Sequence, residues 1–229
     1  MLFHKHKSLF FHVGKAAGSS VEQTFLQSTP KFSIPNYDLF YGWEPKKGIY
    51  LQHATAAFVQ KNIHPRMFEE YFKFTVVRNP FTRLVSVFNY NHKGHTAKYE
   101  TFENFILNLR TILNKTHHQN GSHYIDQVHY SHIENERVCD EVVFFEDLPH
   151  GFKVIQRKTK LIQPLKHINK GRVGVNGSKA MHECYSKEMV ELMLDVYARD
   201  FDTFGYSANP RQTQASLTVG RVLKRVFFI

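Results

Sequence analysis

Two short turns rich in small and basic residues most constrain this chain, because each lies between a strand-like apolar run and a helix-like run. They span residues 12–20 and 77–86. A helix N-terminus offers backbone N–H groups to an anion, so one such turn can hold one phosphate group. Two of them can hold a doubly phosphorylated nucleotide at both ends.

The order of the predicted elements indicates an α/β fold. Alternating strands and helices predict a central parallel sheet flanked by helices, with ligands beyond the carboxyl ends of the strands, where both turns fall. Asn79 and Pro80 predict the cap and first turn of one helix. The other patterns predict strands at 8–13, 72–77 and 141–145, and helices at 20–26, 52–64, 102–113 and 186–199.

Length and charge set broad limits on the protein class. With 229 residues we expect a single domain over 1–229, with a core at about 8–206 and a tail at 207–229. The formal charge of +10 favours an anionic partner without choosing among nucleic acid, acidic polysaccharide, nucleotide and membrane surface. Two cysteines, Cys139 and Cys184, are too few for a disulfide-built domain; we expect free thiols, with one bridge as the alternative.

The first turn fails the Walker pattern, because Gly14-Lys15 is followed by Ala16 rather than by Ser or Thr. It still offers successive backbone N–H groups, a mobile positive charge on Lys15 and the hydroxyls of Ser19 and Ser20. Taken alone, the turn is equally compatible with a plain strand-to-helix connection.

The second turn favours the phosphate hypothesis. Arg78 lies at the tip of a predicted strand and Ser86 two turns along the following helix. A guanidinium fork together with a hydroxyl suits a terminal phosphate. A surface salt-bridge cluster is the alternative, and it is the expectation for Arg83.

With these motifs the chain resembles the sulfotransferase superfamily, in its carbohydrate branch of Golgi-type and bacterial enzymes. The resemblance implies a P-loop-like sulfotransferase fold and a donor, PAPS (3′-phosphoadenosine 5′-phosphosulfate), which leaves as PAP. Residues 197–206 are also similar to the closing helix and turn of that family. The implied contacts are Lys15, Ala16, Ala17, Gly18, Ser19 and Ser20 for the 5′-phosphosulfate, and Arg78 and Ser86 for the 3′-phosphate.

The resemblance also implies roles for residues outside the two turns. His53, just before a predicted helix, is the implied catalytic base, because a helix N-terminus disfavours the imidazolium form; a capping or buried histidine is the alternative. His123 and Gln127 are implied near the acceptor, or else belong to a polar loop. Arg172 and Lys179 are implied over the nucleotide, or else belong to a solvated loop.

Two further features predict less. The histidine-rich run 117–132 lacks zinc-type spacing, so no metal is expected. The basic, partly apolar segment 217–229 predicts either a membrane-surface helix or a segment that packs on its own domain or a partner subunit. No nucleic-acid-binding motif is recognised, and the sequence leaves the oligomeric state open.

We therefore expect an enzyme that moves a sulfuryl group from PAPS to a hydroxyl of an anionic or neutral glycan by in-line displacement, with His53 as base and Lys15 stabilising the leaving phosphate. A P-loop nucleotide-dependent kinase and a non-catalytic polyanion-binding domain are the alternatives. Because no window is apolar enough to span a bilayer, we expect a soluble cytoplasmic enzyme of the bacterial type. A Golgi-lumen enzyme without its N-terminal anchor is the alternative.

Overall fold

The computed structural model describes residues 1–27, 33–91, 97–115, 123–166 and 184–215. Within these ranges the strands are β1 (Leu2–Phe3), β2 (Ser8–Phe11), β3 (Trp43–Glu44), β4 (Ile49–Tyr50), β5 (Phe72–Val77), β6 (His132–Ile133), β7 (Glu136–Arg137) and β8 (Glu141–Phe144). The helices are α1 (Gly18–Leu26), α2 (Ala56–Asn62), α3 (Pro65–Glu70), α4 (Pro80–Asn91), α5 (Phe102–Leu107), α6 (Leu109–Lys115), α7 (Leu148–Thr159), α8 (Lys187–Val196) and α9 (Ala198–Phe204).

The central sheet has the strand order β1-β2-β5-β8. Strand β5 pairs in parallel with β2 on one side and with β8 on the other, whereas β1 pairs antiparallel at the edge. Helices flank this mostly parallel sheet, so the predicted α/β class is confirmed. Two small antiparallel hairpins, β3-β4 and β6-β7, lie outside the sheet.

Strand β5 carries the core of the sheet. Its residues from Phe74 to Val77 have no exposed surface, as expected for a parallel strand covered on both faces. Its one buried hydroxyl, on Thr75, donates to the carbonyl of Phe11 over 2.8 Å. Burying that hydroxyl costs little because it is hydrogen-bonded.

The predicted start of α4 is confirmed. The side-chain oxygen of Asn79 accepts the backbone N–H groups of Phe81 at 3.0 Å and Thr82 at 3.4 Å. Pro80 follows as the first helical residue, where its missing N–H removes no intrahelical bond. Residue 78 therefore stands directly between the end of β5 and this cap.

Three of the predicted helices differ most from the observed elements. The chain makes a 3₁₀ turn at Leu51–His53, and α2 starts only at Ala56, because extended Thr55 caps it by accepting the Phe58 N–H at 3.3 Å. The helix predicted over 102–113 is split between α5 and α6 at Asn108, whose side-chain amide donates back to the Asn104 carbonyl at 2.8 Å.

The helix predicted over 186–199 begins at its expected cap, Ser186, and divides at Tyr197 into α8 and α9. Strand β1, helices α3 and α7 and the two small hairpins were not predicted. In the ranges described above, no helix combines the length and the apolar character that crossing a membrane requires.

Candidate active site

The turn after β2 forms a backbone cradle for an anion. Lys15 and Ala17 adopt left-handed conformations, with φ of 68° and 65°, while Ala16 between them does not. Such alternation turns successive N–H groups toward one point, and α1 then begins at Gly18 with N–H groups that have no acceptor inside the helix. Left-handed residues other than glycine cost energy, and they cluster where structure serves a ligand.

The two glycines of this turn make room for imidazole rings. A Cβ on Gly18 would lie 1.7 Å from Nε2 of His12, and a Cβ on Gly14 would lie 2.2 Å from Cδ2 of His123. A hydrogen bond between Nδ1 of His12 and Oε1 of Glu22, 2.7 Å long, holds the His12 ring in place. The loop is therefore shaped by the two rings packed against it.

Lys15 is the cation at the centre of the turn. Its Nζ lies 3.8 Å from the ring centroid of Tyr90. Burial, followed by the nearby charge of Arg78, lowers the pKa of Lys15 to about 8. The ammonium form still predominates at neutral pH, and its poor hydration strengthens its attraction for an incoming anion.

Arg78 places a second cation next to the first. Its Nη1 donates to the carbonyl of Lys15 at 3.1 Å, and its Nε donates to Oγ1 of Thr82 at 2.9 Å. The guanidinium carbon lies 4.3 Å from the ring centroid of Phe145. Burial lowers the pKa of Arg78 to about 10, partly opposed by Glu146, so the group stays charged. Lys15 and Arg78, one from each turn, therefore lie next to each other at the same edge of the sheet.

Gln127 has a different place from the one expected. Its side chain is fully buried, so it offers no surface to an acceptor in this conformation. Its Oε1 accepts the Arg78 N–H at 2.8 Å, and its Nε2 donates to the Arg78 carbonyl at 2.8 Å and to Oδ2 of Asp200 at 3.0 Å. Gln127 thus clamps the backbone of Arg78 on both sides.

The expectation that Arg83 lies in a surface salt bridge is wrong, because its side chain has no exposed surface. Its Nη2 donates to the carbonyls of His123 and Ile125, both at 3.0 Å, and its Nε donates to the carbonyl of Gly14 at 3.3 Å. Its Nη1 lies 4.0 Å from Oδ2 of Asp200. Arg83 therefore ties the anion cradle to the segment that carries His123.

We call Arg83, Gln127 and Asp200 the buried polar cluster. Burial is the main reason that the pKa of Asp200 is raised to about 6. One signal in the sequence points to the burial of Arg83, namely its spacing from Val87. Residues four apart share one face of a helix, and the structure buries this face of α4.

His53 is held in one tautomer. Its Nδ1 lies 3.1 Å from the carbonyl oxygen of His12, and a carbonyl can only accept, so Nδ1 carries the ring proton and Nε2 keeps its lone pair. Burial, then the neighbouring His12 and His123, hold the pKa of His53 well below its usual value. Its ring centroid lies 4.3 Å from that of His12 and 5.2 Å from that of His123.

The other predicted site residues are placed as follows. Ser19 and Ser20 are half-buried at the start of α1, and Ser86 is half-buried in the middle of α4. Burial lowers the pKa of His123 to about 3, so its ring stays neutral beside His53. Arg172, Lys179 and the segment 217–229 lie outside the described residues. Cys139 and Cys184 do not form a disulfide with each other.

Among the residues whose positions are described, no three or more His, Cys, Asp or Glu side chains are grouped so that they could hold a metal ion. The histidines His12, His53 and His123 are instead packed ring against ring.

One comparison with known proteins gives a family match. A model of the sulfotransferase family matches residues 1–207, which include the loop after β2, Arg78 and every other described residue of the site. Neither the curated proteins nor the solved structures contain a match. The family match extends over nearly the whole chain and supports sulfuryl transfer rather than either alternative activity. The chain belongs to the sulfotransferase family, and it is a PAPS-dependent enzyme.

Proposed function

We propose that this enzyme transfers the sulfuryl group of PAPS to a carbohydrate hydroxyl, with His53 as the general base. One observation carries the proposal: an imidazole fixed with its lone pair on Nε2 lies beside a cradle that holds two cations. A base and an anion site at the same edge of the sheet are what sulfuryl transfer to a neutral hydroxyl requires.

The residues of the cradle suit the two charged ends of the donor. The N–H groups at the start of α1 and Lys15 are proposed to bind the 5′-phosphosulfate. Arg78, with a flat guanidinium, and Ser86 are proposed to bind the 3′-phosphate. Ala16 and Ala17, which have no polar side-chain atom, are proposed to take part through backbone N–H groups alone. Arg172 and Lys179 are proposed to add contacts to the nucleotide.

The proposed step is a single in-line displacement at sulfur. His53 Nε2 takes the proton of the acceptor hydroxyl while the acceptor oxygen forms its bond to sulfur. The bond between sulfur and the bridging oxygen of the 5′-phosphate breaks, and its electron pair stays on the phosphate of PAP. Lys15 and the loop N–H groups stabilise the charge that grows there.

The electrostatics of the site couple the strength of the base to the presence of the donor. Burial and two neighbouring imidazoles disfavour the protonated form of His53, so the base is free at neutral pH. A bound polyanion next to the ring favours the imidazolium and therefore raises the pKa of His53. His53 is therefore proposed to become a stronger base when the nucleotide is bound.

A carbohydrate acceptor is supported by the family match and by the net charge of +10, which suits an anionic glycan as well as the donor. His123 lies next to His53, so we propose that it borders the acceptor hydroxyl. Gln127 is instead proposed to hold Arg78 in place.

A transfer assay with radiolabelled PAPS across glycans and phenols tests both parts of the proposal. Transfer to glycans is expected, and transfer to phenols alone would contradict the choice of acceptor. His53→Ala should lower kcat by about 10²–10⁴-fold while PAP affinity, measured by calorimetry, stays within about twofold. The matched control His150→Gln changes an exposed histidine paired with Asp147 and should leave kcat unchanged.

Two further results would contradict the mechanism. Normal turnover in a folded His53→Ala enzyme would mean that another group takes the proton. Calorimetry that finds tighter binding of ATP–Mg²⁺ than of PAP would favour the kinase alternative.

Lys15→Ala should lower kcat by about 10²–10³-fold, because it removes a charge that is most useful in the transition state.

A further inference from the structure

Tyr90 is an exposed aromatic residue whose neighbours belong to the active site. It lies in the last turn of α4 with 66% of its surface exposed. One side of its ring faces Nζ of Lys15 at 3.8 Å, and its centroid lies 5.9 Å from that of His123. The mechanism proposed above gives this ring no task.

Other exposed aromatic residues have neighbours that account for them. The Tyr37 hydroxyl donates to Glu44, and Trp43 packs against Tyr50 across the β3-β4 hairpin with centroids 4.9 Å apart. Tyr90 instead contacts Lys15 and His123, both at the cradle. Scattered exposed aromatic residues need no explanation, but one that borders a catalytic group offers a contact surface to the substrate.

The open part of the Tyr90 ring lies at a distance that a linear acceptor can span. The ring centroids of His53 and His123 are 5.2 Å apart, and those of His123 and Tyr90 are 5.9 Å apart, so Tyr90 lies within about 11 Å of the base. A sugar whose hydroxyl is at His53 can therefore have the next sugar of the chain at Tyr90.

We propose that Tyr90 binds the acceptor, with the open face of its ring stacked on the C–H face of the sugar next to the sulfated one. This inference rests on the carbohydrate acceptor proposed above. A flat aromatic ring buries the apolar face of a sugar at small entropic cost, and the Tyr90 hydroxyl stays accessible to the polar groups around it. The site therefore takes glycans of two or more sugars, and it accepts single sugars poorly.

The experiment compares Tyr90→Leu, which removes the ring, with Tyr90→Phe, which keeps it. The substrates are the best glycan acceptor of the panel, as a tetrasaccharide, and its sulfated sugar as a monosaccharide. For Tyr90→Leu we expect the KM of the tetrasaccharide to rise roughly tenfold, with kcat and PAP affinity each within about threefold. Tyr90→Phe should keep the KM of the wild-type enzyme.

Tyr99→Leu is the matched control. Its ring also has a lysine over it, with Nζ of Lys98 4.9 Å from the centroid, but it packs against Phe105 rather than against the site. This variant should leave the KM of the tetrasaccharide unchanged.

Three results would overturn the inference. An unchanged KM in Tyr90→Leu would remove the ring from the acceptor site. A fall in kcat or PAP affinity with unchanged KM would mean that Tyr90 acts only by seating Lys15. Equal KM values of the wild-type enzyme for the two substrates would exclude a second sugar contact. If instead the wild-type enzyme transfers to no glycan, the proposed function and this inference fail together.

Discussion

Arg78 and Arg83 lie five residues apart around the first turn of α4, and they serve the same site in opposite ways. Arg78 is half-buried at the rim, where one side of its guanidinium packs on Phe145. Arg83 has no exposed surface, and three of its hydrogen bonds go to backbone carbonyls. A cation at the rim can meet a ligand, whereas a fully buried cation can only hold the chain around it.

The difference shows that an arginine near a binding site can either contact the ligand or hold the chain in place. The residue type alone does not tell which of the two it does. The carbonyls held by Arg83 belong to Gly14, His123 and Ile125, so this one side chain sets the spacing between the anion cradle and the acceptor side. Arg78 takes its own position from Gln127, which holds its backbone. The rim is therefore supported from the interior.

Replacing Arg83 is the strongest test of this division. Arg83→Leu leaves Asp200 without its cation and three carbonyls without a donor, so the free energy of unfolding should fall by about 3–5 kcal/mol. Urea denaturation measures the loss. Arg83→Lys, which keeps the charge but not the fork, should lose less. A loss below about 1 kcal/mol in Arg83→Leu would mean that the buried cation is dispensable.

The same substitution at the rim should act on binding instead. Arg78→Leu removes a charged donor of the 3′-phosphate site, so calorimetry should find PAP affinity lowered by about 10–100-fold. The free energy of unfolding should fall by less than in Arg83→Leu, because Arg78 is half-buried and its removal leaves one backbone carbonyl, that of Lys15, without its donor rather than three. If Arg78→Leu unfolds the protein as readily as Arg83→Leu, the comparison breaks down.

Gln127 connects the two regions, so its replacement should affect both measurements by smaller amounts. Gln127→Met removes three hydrogen bonds, two to the backbone of Arg78 and one to Asp200, and should cost about 1–3 kcal/mol of stability. With Arg78 less firmly held, PAP affinity should fall severalfold. A lower kcat with unchanged PAP affinity would instead indicate that Gln127 acts on the acceptor, as the sequence predicted.

The last prediction concerns how stability depends on pH, and not a loss at fixed pH. Burial keeps the pKa of His123 at about 3 in the folded protein, whereas an unfolded histidine titrates near 6.5. Between those values the unfolded chain binds the additional proton, so His123 makes stability fall as the pH is lowered from about 6.5, by up to about 1.4 kcal/mol per pH unit.

His123→Phe keeps a ring against Gly14 and removes the titration. The free energy of unfolding, measured by urea denaturation at pH values between 7 and 4, should therefore fall less steeply with decreasing pH for this variant than for the wild type. Parallel curves would mean that the His123 ring is protonated as easily in the folded as in the unfolded chain.

Much of the fold could be predicted because its signals are local. Four of the six residues in Phe72–Val77 are apolar, and Asn79-Pro80 is a cap followed by a first helical residue, so a short stretch of sequence suffices for each. Strand β1 has two residues, too few for any pattern to be visible. The turn before α2 depends on a single cap at Thr55, and a longer helix fits the same residues.

The sequence predicts site residues that stand in local motifs. It does not reveal contacts between residues that are distant in the chain. Lys15 and Arg78 stand in recognisable turns. The burial of Arg83 depends on carbonyls at positions 14, 123 and 125, which only the folded chain brings together. For the same reason, Gln127 could be placed near the site from its motif but not assigned to Arg78. The resemblance selected His53, but its tautomer follows from the His12 carbonyl, which lies 41 residues earlier in the chain.

The packing of imidazole rings against Gly14 and Gly18 has a consequence for how this loop can evolve. Position 18 tolerates a side chain only if the ring at position 12 is lost or displaced, and position 14 is linked to position 123 in the same way. Each glycine is thus sterically coupled to one histidine. A substitution at either glycine is expected to need a smaller side chain, or a moved ring, at the coupled position.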